Sequence, residues 1–250
     1  MTRAAARSDP GKVRDGNEDR WTIRRRGGVT LLAVADGVGG AAGGEIASAV
    51  AVDALAERFY STLGNGVRTS LTAAVRDAND AVVRATDEKA RGAATTLVAA
   101  AVRGREATVA NLGDSRAYLV RGATARQLTT DHAGARTHEI TRYLGDARGV
   151  QPDVFVETLR SGDRLVLCSD GLTRHVLEPE IARLARRDPA SAADALVALA
   201  NERGGEDNVT VVVYRAGGAW VRAILVSLVV VLAAMATGTV LSATIPPPLP

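Results

Sequence analysis

The 250-residue sequence predicts an α+β fold of antiparallel sheets with segregated helices, followed by one C-terminal transmembrane helix. Segments rich in Val, Leu and Thr come in consecutive clusters joined by short turns, which favours antiparallel strands over a regular βαβ series. Long amphipathic segments lie between these clusters and predict helices. Near the C-terminus, residues 223–245 contain no charge, which predicts a membrane span.

The elements follow one another without an internal repeat or a low-complexity linker, so we expect a single domain before the uncharged segment. Short glycine-containing turns at 26–28 and 103–105 join neighbouring strands. The predicted strands are 21–26, 29–36, 95–102, 106–114, 116–121, 153–159, 163–170 and 208–215, and the predicted helices are 43–63, 69–90, 178–187 and 190–203.

Composition excludes several classes of protein. The formal net charge is only +3, and acids and bases are mixed along the chain, so no nucleic-acid partner is expected. Aromatic residues make up 3% of the chain, too few for the stacking platforms that bind single strands. The single cysteine, Cys168, excludes an internal disulfide and a cysteine-rich zinc site, and favours a reducing compartment.

The uncharged segment 223–245 would span about 35 Å as a helix, enough to cross a hydrocarbon core of about 30 Å. A buried core helix is the alternative, but core helices are rarely so long and so free of polar residues. Arg215 and Arg222 precede the segment and no basic residue follows it, so the positive-inside rule places the preceding domain in the cytoplasm. The sequence therefore predicts a single-pass protein of the cell membrane, with a domain at 1–218 and a lipid-contacting anchor at 219–250.

Four aspartates lie at the ends of apolar strand segments, where a buried carboxylate is costly unless something pairs with it. Asp36, Asp114 and Asp170 end predicted strands and have glycine neighbours, and Asp207 precedes another strand. Each one alone is compatible with ordinary turn chemistry. Together, clustered carboxylates and bare backbone carbonyls are what hard cations such as Mg²⁺ or Mn²⁺ require. Two such ions bridged by one aspartate would generate hydroxide and hold an anionic substrate for in-line attack.

A further acidic motif, "VRDGNED", precedes the first predicted strand. It supplies Glu18, Asp19 and Arg14, and the planar guanidinium of Arg14 suits a phosphate group. Six motifs occur in the order of a known family: "VRDGNED", "AVADGVGG", "NLGDSRAYL", "LTTDH", "CSDGL" and "EDNVTVVV". With them the chain resembles the metal-dependent serine/threonine protein phosphatases of type 2C, also called PPM, and their bacterial branch in particular. The resemblance covers residues 11–215, essentially the whole predicted domain.

The resemblance implies a four-layer α/β/β/α sandwich with metal ions at one edge. It also implies an enzyme that hydrolyses phosphoserine and phosphothreonine in proteins by direct attack of metal-bound water, without a phosphoenzyme. Phosphorylated proteins and a membrane-associated Ser/Thr kinase are the partners that such a family implies.

Individual site residues also follow from the resemblance. Asp36 would bridge two Mn²⁺ or Mg²⁺ ions, and the carbonyl of Gly37 would complete one coordination shell. Asp170 and Asp207 would bind the first ion, and Glu18 would bind the second largely through water. The other assignments are Asp19 to steady the metal-bound waters, Asp114 with Asp170 to hold a third, weaker ion, and Arg14 to grip the substrate phosphate.

The sequence departs from the family pattern in two places. Val38 stands where many members carry a histidine, so no acid for the leaving group is identified. Only residues 133–136 separate "LTTDH" from "THEITRYLG", a shorter flap than is usual, which leaves substrate selection open. These departures keep one alternative, a catalytically weak pseudophosphatase that binds phosphoproteins. Against it, every expected metal-binding acid is present.

The segment "CSDGLTR" offers another alternative, because it fits the Cys-x-x-Gly-x-x-Arg loop of a cysteine-dependent phosphatase. Cys168 would then be the nucleophile and Arg174 the anion clamp. However, Asp170 would lie inside that phosphate cradle and would repel the substrate dianion. Cys168 also lies in an apolar strand, where a thiol tends to be inert. The sequence therefore favours a buried structural cysteine beside a metal-dependent site.

Overall fold

Two five-stranded antiparallel sheets stack face to face, and helices cover the outer face of each sheet. The computed structural model describes residues 3–39, 43–89, 92–134 and 140–217. The predicted membrane anchor and its boundary with the domain lie outside these ranges, as does part of the short flap. Across the described ranges, no helix combines the length and the apolar composition needed to cross a membrane.

The strands match the predicted clusters, with four additional strands. In spatial order, the first sheet contains β1 (Ala4–Asp9), β12 (Val209–Arg215), β11 (Arg164–Cys168), β8 (Arg116–Arg121) and β9 (Thr124–Gln127). The second sheet contains β10 (Asp153–Thr158), β7 (Glu106–Leu112), β6 (Leu97–Arg103), β3 (Val29–Ala35) and β2 (Arg20–Arg26). A separate short pair joins β4 (Gly37–Val38) to β5 (Ala94–Thr95). The four additional strands are β1, β4, β5 and β9.

The helices divide between the two outer faces. The second sheet is covered by α1 (Gly43–Ser61) and α2 (Val67–Lys89), which a 3₁₀ turn at Leu63–Asn65 connects. The first sheet is covered by α3 (Asp170–Thr173), α4 (Glu178–Leu184) and α5 (Pro189–Glu202). The start of α5 shows the local chemistry that sets a helix boundary: the side chain of Asp188 accepts a hydrogen bond from the backbone N–H of Ser191, and proline follows it.

Strand alternation explains why both sheets are buried on two faces. In β3, Leu31 packs towards α1 and α2, whereas its neighbour Leu32 packs between the sheets. In β11, Val166 packs towards the helices of the first sheet, whereas Leu167 packs between the sheets. Successive side chains of a strand point to opposite faces, so such continuous apolar strands require a covering layer on each side. The predicted α/β/β/α sandwich is confirmed.

Two local features differ from the sequence prediction. The Ala-rich segment Ala4–Asp9 forms an edge strand, since it pairs with β12 more than 200 positions along the chain; no local pattern signals that pairing. Asp170 was expected to end a strand, but β11 ends at Cys168 and Asp170 opens the short helix α3. The turn is fixed because the Asp170 carbonyl accepts a hydrogen bond from the backbone N–H of Arg174.

Candidate active site

A cavity of about 680 Å³ lies at the edge of the sandwich where strands of both sheets begin or end. Asp36 follows β3, Asp114 lies shortly after β7, Asp170 lies shortly after β11, and Asp207 lies just before β12. Antiparallel neighbours run in opposite directions, so the end of one strand meets the start of the next at this edge. The structure therefore brings together seven of the eight predicted site residues, namely Arg14, Glu18, Asp36, Gly37, Asp114, Asp170 and Asp207.

The eighth, Asp19, lies directly behind the cavity and is almost completely buried, with 2% of its surface exposed. Its Oδ2 atom accepts a hydrogen bond of 2.7 Å from the hydroxyl of Ser169. Its Oδ1 atom is buried without a hydrogen-bond donor among the described residues. Burial raises the pKa of Asp19 to about 6, even though Ser169 and Thr210 stabilise the charged form. A buried carboxylate with one unpaired oxygen marks a place that favours a cation.

Burial and neighbouring negative charges also raise the pKa values of acids that face the cavity. Burial raises the pKa of Asp36 well above its ordinary value, and the negative charges of Asp19, Asp170, Asp114 and Asp207 raise it further. The pKa of Asp114 is also raised, first by burial and then by the charge of Asp170. The acids thus repel one another, and a bound cation would relieve that repulsion.

Glycine is required beside two of these aspartates. A Cβ atom on Gly37 would lie 2.3 Å from the carbonyl oxygen of Gly44 and 2.8 Å from that of Glu18. A Cβ atom on Gly171 would lie 2.1 Å from the carbonyl oxygen of Asn208. Real Cβ atoms do not approach backbone oxygens so closely, so only glycine lets the chain segments at the cavity pack together.

Asn208 joins the segments that carry the predicted phosphate-binding arginine and the metal-binding acids. Its Oδ1 atom accepts a hydrogen bond of 2.8 Å from the backbone N–H of Glu18. Its amide donates to the carbonyl oxygens of Pro10 and Gly16, at 3.0 and 2.9 Å. Sequence reasoning did not assign this residue a role, although it lies inside the "EDNVTVVV" motif beside Asp207.

Two arginines neutralise part of the acidic cavity. Arg14 contacts Asp207 through its Nη2 atom, 3.0 Å from Oδ1, and more than half of its side chain is exposed at the cavity mouth. Arg174 contacts both Asp170 and Asp207, and sequence reasoning gave it no role outside the cysteine-loop alternative. Within the described ranges, no three acidic, histidine or cysteine side chains already surround a common metal position. In this structure Arg174 spans two of the predicted ligands.

The position of Cys168 decides between a cysteine nucleophile and a buried structural cysteine in the "CSDGLTR" segment. Its side chain is completely buried in β11 and packs with the apolar residues under the helices of the first sheet. Burial raises the pKa of the thiol to about 12, so the reactive thiolate is scarce at neutral pH. The cysteine-dependent phosphatase is therefore the wrong interpretation of this segment.

Comparison with known proteins agrees with the geometry. The family model described as Protein phosphatase 2C matches residues 12–208. The serine/threonine phosphatase stp of Listeria welshimeri is 35% identical over 235 residues, covering 83% of this chain and 93% of the relative. The serine/threonine protein phosphatase PstP of Mycobacterium tuberculosis is 37% identical over 234 residues, which cover 85% of this chain and 45% of PstP.

Solved structures show the same likeness. The crystal structure of the Mycobacterium tuberculosis phosphatase PstP/Ppp has a TM-score of 0.76 and 36% identity, covering 86% of this chain and 98% of that one. The catalytic domain of PstP in complex with two manganese ions has a TM-score of 0.75 and 38% identity, covering 85% of this chain and 97% of that one.

The fold and its acidic cavity define a phosphatase of the metal-dependent type. The chain belongs to the protein phosphatase 2C family, and it is a serine/threonine protein phosphatase of the PPM type. The pseudophosphatase alternative receives no support from these relatives, which are named as phosphatases.

Proposed function

We propose that the chain hydrolyses phosphoserine and phosphothreonine in proteins, with Mn²⁺ or Mg²⁺ as cofactor, by direct attack of a water molecule. The observation that carries this proposal is that the six predicted acids and Arg14, which lie at strand ends of both sheets, meet at a single cavity and the buried position behind it. A PPM structure that contains two manganese ions supports the choice of cofactor.

The donor set fits hard divalent cations. Every candidate ligand is an oxygen atom, and burial, followed by the neighbouring negative charges, raises the pKa values of Asp19 and Asp36, an effect that a divalent cation would offset. When bound, a pair of divalent ions would acidify a water molecule and neutralise the phosphoryl oxygens. The residues that would hold them are Asp36 between the two ions, the carbonyl of Gly37, Asp170 and Asp207 for the first, Glu18 for the second, and Asp114 with Asp170 for a third.

The chain itself supplies substrate binding and orientation. The exposed guanidinium of Arg14 lies at the cavity mouth, where its planar donors suit two phosphate oxygens. Ser169 holds Asp19 behind Asp36, and from that position Asp19 would steady the attacking water. The proton that this water loses passes to solvent. As the new oxygen–phosphorus bond forms, the ester bond breaks. The departing alkoxide then takes a proton from solvent, because the apolar side chain of Val38, where many family members carry a histidine, cannot donate one.

Membrane attachment and partners belong to the same proposal. The uncharged segment 223–245 and the preceding Arg215 and Arg222 support a single-pass anchor with the phosphatase domain in the cytoplasm. Such an anchor would hold the active site near membrane-associated Ser/Thr kinases and their phosphorylated substrates.

The test is phosphate release from a phosphothreonine peptide by the full-length chain in non-ionic detergent, with Mn²⁺ or with EDTA. We expect activity that requires metal, disappears in Asp170→Asn and persists in Cys168→Ala. Asp188→Asn is the matched control, because it makes the same chemical change at a helix N-terminus in the layer of helices on the first sheet. Activity in EDTA that depends on Cys168 would overturn the proposal.

A further inference from the structure

Arg174 makes the most extensive cationic contact in the acidic cavity. Its Nε atom donates a hydrogen bond of 3.0 Å to Oδ2 of Asp170, and its Nη2 atom contacts the same oxygen. Its Nη1 atom lies 3.2 Å from Oδ2 of Asp207. One guanidinium thus bridges the two carboxylates that the proposed function assigns to the first metal ion.

These contacts are shielded from solvent. The side chains of Arg174, Asp170 and Asp207 are 29%, 19% and 15% exposed. Ion pairs in such an environment are screened less than surface pairs, so their contribution is correspondingly larger. Arg14 differs, because within the described part of the chain its ion pair is with Asp207 alone, and its side chain is 54% exposed.

The backbone fixes the position of Arg174, and its long side chain allows the guanidinium to move away from the two carboxylates. Arg174 caps the C-terminus of α3, and its N–H is bonded to the Asp170 carbonyl, so residues 170 and 174 are held one helical turn apart. The cavity is open to solvent and its lining includes further acids, among them Asp36 and Asp114, so a displaced guanidinium has both space and other carboxylates near it.

We infer that Arg174 is an internal counter-cation that competes with the first divalent ion for Asp170 and Asp207. In the metal-free protein it neutralises these two acids and stabilises the fold. Arg174 contacts the Oδ2 atom of each carboxylate, so an ion that binds through these oxygens must displace the guanidinium, and Arg174 thereby sets the metal concentration at which the site fills. This inference rests on the proposed function, because it takes Asp170 and Asp207 as metal ligands.

The test measures Mn²⁺ binding directly, by isothermal titration calorimetry of the EDTA-stripped, full-length chain. Arg174→Gln removes the charge and retains polar atoms. We expect this variant to bind the first Mn²⁺ about tenfold to a hundredfold more tightly than wild type, because that range corresponds to the free energy of the charge-assisted hydrogen bonds that are lost. Arg174→Lys keeps the charge without the planar fork and should fall between wild type and Arg174→Gln. Arg24→Gln is the matched control, because it breaks an exposed pair with Asp53 on the surface.

Thermal unfolding provides a second readout. Arg174→Gln should lower the Tm in EDTA, because two carboxylates lose their counter-cation. The increase in Tm on adding saturating Mn²⁺ should be larger in Arg174→Gln than in wild type. If Arg174 had a merely structural role, Arg174→Gln would lower the Tm by the same amount with and without Mn²⁺. That equal loss, or an unchanged Mn²⁺ affinity in Arg174→Gln, would overturn the inference.

Asp170→Asn separates this failure from a failure of the proposed function. If wild type binds Mn²⁺, Asp170→Asn does not, and Arg174→Gln matches wild type, the metal site stands and the competition is refuted. If wild type itself binds no Mn²⁺, the proposed function and the inference fall together.

Discussion

Replacing Asp19 with asparagine should stabilise the metal-free protein, although it removes a residue of the proposed site. Asp19 is buried, and one of its carboxylate oxygens has no donor among the described residues. Asparagine is neutral, its carbonyl can accept the hydrogen bond from Ser169, and its amide can donate to Asp36. The variant therefore avoids the cost of burying a charge while keeping the local hydrogen bonds.

The size of the effect follows from the pKa of Asp19, which burial raises from 3.8 to about 6. A shift of about two pKa units, each worth about 1.4 kcal/mol, gives a penalty of about 3 kcal/mol at pH 8, where the carboxylate is charged in both the folded and unfolded states. Since the folded-state pKa is the higher one, the folded protein holds the proton more tightly. The penalty is thus absent below about pH 4 and grows as pH rises towards about 6. At pH 5 it is about half of the value at pH 8.

The assay is urea unfolding in EDTA at pH 8 and pH 5. Asp19→Asn should raise the free energy of unfolding by up to about 3 kcal/mol at pH 8, and by about half of that at pH 5. Asp194→Asn, on the exposed face of α5, is the matched control and should change stability by less than about 0.5 kcal/mol. A loss of stability in Asp19→Asn at pH 8, or a gain that does not shrink at pH 5, would contradict the cost assigned to the buried charge.

Three further predictions address packing, the thiol and the membrane. Gly171→Ala places a Cβ atom 2.1 Å from the carbonyl oxygen of Asn208, so it should destabilise the fold by at least about 1–3 kcal/mol and lower phosphatase activity; an unchanged Tm would show that the two segments separate freely. In the native protein the buried thiol of Cys168, with its pKa raised to about 12, should not react with Ellman's reagent at pH 8, and it should react once urea unfolds the chain; rapid reaction without urea would contradict its burial. The full-length chain should remain in carbonate-washed membranes, and Val230→Lys, in the middle of the uncharged segment, should shift it towards the soluble fraction; recovery of wild type in the soluble fraction would contradict the anchor.

Much of the sandwich was predictable because its signals are local. Continuous apolar runs such as 29–36 and 208–215 predict strands buried on both faces, and the structure has β3 and β12 there. The acidic residues at their ends were predictable from position alone, since a carboxylate at the end of a buried strand needs a partner. Which acids would share one cavity came from the family resemblance, because local patterns do not reveal which strand ends meet.

The features that escaped prediction depend on contacts between distant segments. The edge strand Ala4–Asp9 has little apolar patterning of its own and exists because β12 offers an edge to pair with. Asn208 acts through backbone groups of the N-terminal segment, nearly 200 positions away. Arg174 was visible only as part of a rival motif, since its contact with Asp207 requires α3 and the start of β12 to be neighbours.

The central claim is that the acidic cavity is a metal-dependent phosphatase site organised around Asp36. The most direct measurement is phosphate release from a phosphothreonine peptide by the full-length chain and by Asp36→Asn, each across a Mn²⁺ titration. We predict that wild-type activity rises with Mn²⁺ and that Asp36→Asn loses activity by about a hundredfold or more at every concentration. Activity of Asp36→Asn within a few-fold of wild type, with the same dependence on Mn²⁺, would contradict the claim.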